Sequence, residues 1–105
     1  MAIQSPFPRR LKTARLLANI TQEQLGKNLG FEGTSASARM SQYEKGKHAP
    51  DFITAKRLAN ELNIPVAYLY CDDDEMAEII LIFNKLIDID KTHLIADMKK
   101  KFNKD

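Results

Sequence analysis

Apolar residues return along this chain at intervals of three and four, the spacing that keeps one face of an α-helix away from water. Leu11, Ala14 and Leu17 predict a first helix over about 9–18, and Leu25 and Leu29 a second. Met40 and Tyr43, three apart, mark the inner face of a third. Phe52, Ala55, Leu58, Ala59 and Leu62 form one stripe along a fourth, and a stripe of that kind reads as core. Ile64 and Pro65 then open a short fifth helix with Leu69 turned inward. From Asp74 to about Ile87 the pattern changes: Met76, Ile79, Ile80, Leu81, Ile82, Phe83, Leu86 and Ile87 offer more apolar surface than one face can hold. Asp88 and Asp90 are expected to break that helix, and a last one from about Lys91 carries Leu94, Ile95, Met98 and Phe102 on one side.

The residues between these stripes set the boundaries. Residues 1–8, with Pro6 and Pro8, are expected to be extended or disordered. Asn19 tolerates the left-handed conformation of a helix end, and Ile20 packs just ahead of the next cap. Thr21 with Gln24 is a capping box, which starts the second helix at Gln22. Gly30 stops that helix, Gly33 supports a turn, and Thr34 or Ser35 can cap the third. Pro50 ends the following loop, Asp51 caps the fourth helix and Asn63 stops it. The acidic run Cys71-Asp72-Asp73-Asp74 marks a domain boundary and suits a helix start, while Lys99-Lys100-Lys101 suits a helix end. The fold class is therefore all-α, with a five-helix domain over 1–70 and a two-helix extension over 71–105.

Composition narrows the function. A chain of 105 residues is one domain with a small appendage, and its 44% hydrophobic content suffices for a helical core. No apolar run approaches a membrane span, and MAIQSPFPRR has no signal-peptide core, so a cytoplasmic protein is expected. The single Cys71 suits a reducing compartment, and Cys71, His48 and His93 are too scattered to hold zinc. No nucleophile with a paired base and no phosphate loop is present, which argues against an enzyme and against any cofactor. Charge is uneven: residues 1–70 carry +5 and residues 71–105 carry −3. A basic front with an acidic rear suits a domain that turns one face to a polyanion, although surface solubility would account for the same numbers.

Thr21, Gln22, Leu25, Gly30, Met40, Ser41, Glu44, Gly46 and Pro50 together resemble the helix-turn-helix of the lambdoid phage repressors and Cro, and of the Xre group of bacterial regulators. The resemblance spans roughly residues 9–70 and implies a five-helix, lambda-repressor-like domain that binds double-stranded DNA. Aligned backward from Met40 and Glu44, it puts Ser37, Ala38 and Gln42 on base-reading positions. Gln42 suits adenine, Ala38 offers a methyl contact to thymine, and Arg39 suits guanine or a phosphate. Gln22, Lys45 and Lys47 become phosphate contacts, and Arg15 pairs with Glu44 as a structural salt bridge. Gly26 stands where the family usually has Ala. This sequence departs from the commonest pattern in its longer turn, whose extra residues fall in Phe31-Glu32-Gly33-Thr34-Ser35.

The function expected is a transcriptional regulator, acting as a repressor by occupying an operator. A module of the same fold that binds a protein, such as an antitoxin or coactivator, is the competing class. One face of residues 76–87 is expected to lie on the first domain through Met76, Ile79 or Ile80, and Phe83. The remainder then builds a homodimer, with Ile79, Leu81, Ile82, Phe83 and Leu86 as the dimerisation set.

Overall fold

The computed structural model describes residues 3–103, which form seven α-helices and, among those residues, no strand. These are α1 (Phe7–Leu17), α2 (Gln22–Asn28), α3 (Ser35–Glu44), α4 (Phe52–Glu61), α5 (Val66–Leu69), α6 (Asp74–Lys85) and α7 (Asp88–Phe102). The first five enclose a core of Phe7, Leu11, Leu25, Met40, Leu58 and Leu69, with Ala14, Ala55 and Ala59 where helices approach closely. No helix is long and apolar enough to cross a membrane among the described residues.

Four of these helices end in the same device. Asn19, Gly30, Gly46 and Asn63 all take positive φ directly after a helix. In each case the next amide reaches back to a carbonyl of the last turn, as Phe31 N–H does to Gly26 at 3.0 Å and Ile64 N–H to Ala59 at 3.0 Å. That is the Schellman arrangement, which satisfies carbonyls a helix end would otherwise leave bare. At the other ends, Thr21, Asp51 and Asp73 accept the amides of Gln24, Thr54 and Met76 at 3.0, 2.8 and 2.8 Å. Of the capping box only the Thr21 half forms, because the Gln24 amide turns forward to Asn28 at 2.8 Å.

Several boundaries differ from expectation. α1 starts at Phe7, not Arg9: Pro6 and Pro8 sit in its first turn, where a missing N–H costs nothing, and Phe7 drops into the core. For Met1 and Ala2 the expectation of disorder lies outside the described residues. Thr34 holds the N-cap place of α3 but makes no side-chain cap, since its backbone is already helical rather than extended. Ser35 instead turns its hydroxyl back to the Glu32 carbonyl. Phe52 overhangs the core at the start of α4 and is 61% exposed, beside Ile53 at 71%. Asp88 and Asp90 do not merely break α6. They form the first turn of α7, where carboxylates meet the positive end of the helix dipole.

The phase of α6 also differs. Its inward stripe is Ala77, Ile80, Leu81 and Asn84: Ala77 is buried, Ile80 and Leu81 pack on the core, and the Asn84 amide donates to the Asn63 carbonyl at 3.4 Å. Leu81 is thus spent within the chain, in a cleft with Leu62 and Ile64, and is not free for a dimer. The outward stripe is Met76, Ile79 and Ile82, with Phe83 and Leu86 half-buried beside it. An arginine clamp sets this phase. Arg10 donates to the Cys71 carbonyl at 2.7 Å and to Asp74 at 2.8 Å, and Arg9 reaches Asp74 at 3.0 Å. The hydrogen bonds from Arg9 and Arg10 and their charges hold the Asp74 carboxyl below its ordinary range.

Candidate nucleic-acid interface

The outer face of α3 carries no large apolar side chain. Ala36 and Met40 point inward and are fully buried, which leaves Ser35, Ala38, Arg39, Gln42 and Lys45 exposed one above another. How α3 stands on α2 is fixed by backbone contact. A Cβ at Gly26 would lie 2.6 Å from the Ala36 carbonyl oxygen, so only glycine permits this crossing.

The far end of α3 is held by charge. Arg15 Nε donates to Glu44 Oε2 at 2.6 Å and its Nη2 to Oε1 at 3.1 Å, while its Nη1 donates to the Ile20 carbonyl at 3.0 Å. Gln22 Nε2 adds a bond to Glu44 Oε1 at 3.2 Å. Only 11% of the Arg15 side chain and 4% of the Glu44 side chain is exposed, so this bidentate pair is well shielded from water. The network joins α1, the start of α2 and the end of α3, and thereby aims the polar face of α3 as part of a rigid unit.

A helix-turn-helix family model matches residues 11–69, more than half of the chain. The chain belongs to the Xre-type helix-turn-helix family. Among solved structures it is similar to the crystal structure of transcriptional regulator BswR, at 44% identity and a TM-score of 0.87, over 90% of this chain and 93% of that one. No curated protein is significantly similar to it. The family and this neighbour support a DNA-binding regulator, typically not an enzyme, and in a helix-turn-helix the second helix, the place α3 holds after α2, is the one that lies in the major groove.

Within this helix-turn-helix the expected residues are sorted as follows. Ala38, Arg39 and Gln42 share the exposed face. Ser37 does not: it lies inside the helix, half-buried on the flank that also carries Ser41 and Glu44. Because α3 begins at Ser35, the leading exposed residue of the recognition helix is Ser35 rather than Ser37. Lys45 and Lys47 are exposed at the end of α3 and in the loop after it. Gln22 is half-buried, with its amide nitrogen already engaged by Glu44.

His48, which the sequence offers only as a member of a scattered metal set, stands at the edge of this face. His48 lines a shallow depression together with Arg39, Gln42, Tyr43 and Ala49. Its place directly after Lys47, in the loop leaving the recognition helix, was the available signal. The longer turn contributes as well, since the Arg39 guanidinium carbon lies 4.7 Å from the centroid of the Phe31 ring.

Proposed function

We propose that this chain is a sequence-specific transcriptional repressor that acts by occupying its operator. The observation that carries the reading is the exposed face of α3: Ala38, Arg39 and Gln42 in one row, with Lys45, Lys47 and His48 at its end. Gln42 presents an amide suited to adenine N6 and N7, and Arg39 a fork suited to guanine O6 and N7. Lys45 and Lys47 neutralise phosphates and position the helix without reading sequence. The Gln22 amide, anchored on Glu44, has a second N–H left for a phosphate at the start of α2.

The working form is a homodimer in the cytoplasm. Two recognition helices about 34 Å apart enter successive major grooves, and the bound protein denies polymerase the site. Ile79 and Ile82, with Phe83 and Leu86 at their edge, form the α6 side of the dimer contact, and α7 supplies the rest.

The test is a gel-shift titration with DNA from upstream of the protein's own gene, with and without excess nonspecific DNA. Retention under competition, at a two-fold symmetric site, is the expected result. Loss of all binding under competition would favour the protein-binding module. Promoter activity from that site, with and without the protein, then separates repression from activation.

A further inference from the structure

The lengthened turn between α2 and α3 places one large apolar residue against the recognition face. Phe31 is half-buried and packs on the core. Its amide closes the Schellman turn of α2 on the Gly26 carbonyl at 3.0 Å. Backbone and side chain together therefore fix where its ring stands. The Arg39 guanidinium lies over that ring, 4.7 Å from the centroid. Arg39 is otherwise exposed, and none of the side-chain hydrogen bonds among the described residues engages it. A guanidinium resting on an aromatic face uses its π surface and keeps its in-plane N–H donors available. Those donors are the ones that guanine O6 and N7 accept side by side.

We propose that Phe31 is a positioning residue for base readout: it holds Arg39 in the bidentate-competent orientation before DNA arrives. The longer turn is then a specificity device, and guanine recognition at one base pair of each half-site depends on a residue that touches no DNA. This rests on the DNA-reading function proposed above. Among the described residues no aromatic ring lies under Lys45 or Lys47, and both serve phosphates, so the effect belongs to one base position alone.

The experiment compares full-length wild type, Phe31→Leu, Phe31→Tyr, Arg39→Ala and the Phe31→Leu/Arg39→Ala double variant. Each is selected against a randomised half-site and then titrated at fixed salt, with thermal melts in parallel. Phe31→Leu keeps the packing and removes the ring, while Phe31→Tyr keeps both. Arg39→Ala should abolish a guanine preference at one position. Phe31→Leu should weaken that same preference about two- to fivefold, the worth of an exposed cation–π contact. Phe31→Tyr should retain it, and the double variant should match Arg39→Ala alone. In the free protein, the Arg39 Nε–H proton should show a ring-current displacement that is present in Phe31→Tyr and absent in Phe31→Leu. No displacement in the wild type would overturn the platform whatever the DNA result. An unchanged guanine preference in Phe31→Leu, or an equal loss at every position, would overturn the readout role. A wild type that enriches no sequence while showing the displacement would defeat the DNA reading itself, and the role of Phe31 with it.

Discussion

At the scale of single residues, sterics and charge decide against the averages. Alanine is favoured over glycine inside a helix by about 1 kcal/mol, and the family usually has Ala at this place. Here Gly26→Ala should nevertheless destabilise, by about 1–2 kcal/mol in urea denaturation, because overpacking against a fixed neighbour costs about 1–3 kcal/mol. The neighbour is the Ala36 backbone, with three atoms inside 3 Å of the added Cβ, and neither helix can yield without moving the recognition face. A neutral or stabilising result would show that the α2–α3 crossing is softer than drawn. Arg15→Met should cost about 3–5 kcal/mol, since it strands the nearly buried Glu44 with only Gln22. A double-mutant cycle with Glu44→Gln that shows no coupling would reject the pair. On the DNA side, Gln42→Ala should lose about 1–3 kcal/mol at one base pair of each half-site, while Lys45→Ala weakens all sequences alike and flattens the salt slope by about one unit.

At the scale of elements, most of this fold could be read from local chemistry. Thr21, Asp51, Asn19, Gly30 and Asn63 each act through their own backbone neighbours, so their caps and stops appear in the structure where their types predict them. The structure departs from the local pattern where a distant surface decides. Phe7 is helical because the core accepts its ring, against Tyr70 at 5.4 Å, which no pattern in the first eight residues reveals. α6 carries two apolar stripes, and the smaller one, led by Ala77, wins because the arginine clamp seats its start. On the outer face of α3 the family register points to Ala38, Arg39 and Gln42, and the structure exposes all three, whereas Phe31 and His48 come to that face through the turn and the loop, which the register does not contain. The clamp has a pH signature. Asp74, with its pKa depressed by Arg9 and Arg10, stabilises the folded state fully above the ordinary aspartate range. That contribution disappears as pH falls from there through the lower folded value. The stability difference between wild type and Asp74→Asn should therefore be constant near neutrality and shrink in acid. A difference that grows on acidification would contradict the assignment.

At the scale of the molecule, the shape leaves surface uncovered. The radius of gyration is 16.3 Å, against about 13 Å for a compact chain of this length, and the long dimension is 59 Å. α7 accounts for much of this: none of its residues is buried, and Ile87, Ile89 and Phe102 are 66, 54 and 85% exposed. A lone helix of fifteen residues is marginal in water, and none of the described residues buries a residue of α7, so a second surface would stabilise it. Its charges suggest which one. Asp88 and Asp90 stand at one end and Lys99, Lys100 and Lys101 at the other, so two copies packed antiparallel set acids against lysines at both ends. The apolar row Leu94, Ile95 and Met98 lies between. Met76, Ile79 and Ile82 of α6 are exposed as well. Ile79→Glu with Ile82→Glu should then give a monomer whose first five helices stay folded, because neither side chain belongs to the core. That monomer should hold half-sites weakly and lose its preference for two-fold operators. Reversing Lys99, Lys100 and Lys101 to Glu should weaken self-association. Mixing that variant with an Asp88→Lys/Asp90→Lys chain should restore association as a mixed dimer, as expected if the helices run antiparallel. Sedimentation decides the matter directly: if the full-length wild type runs as a monomer at tens of micromolar without DNA, the dimer built on α6 and α7 is wrong.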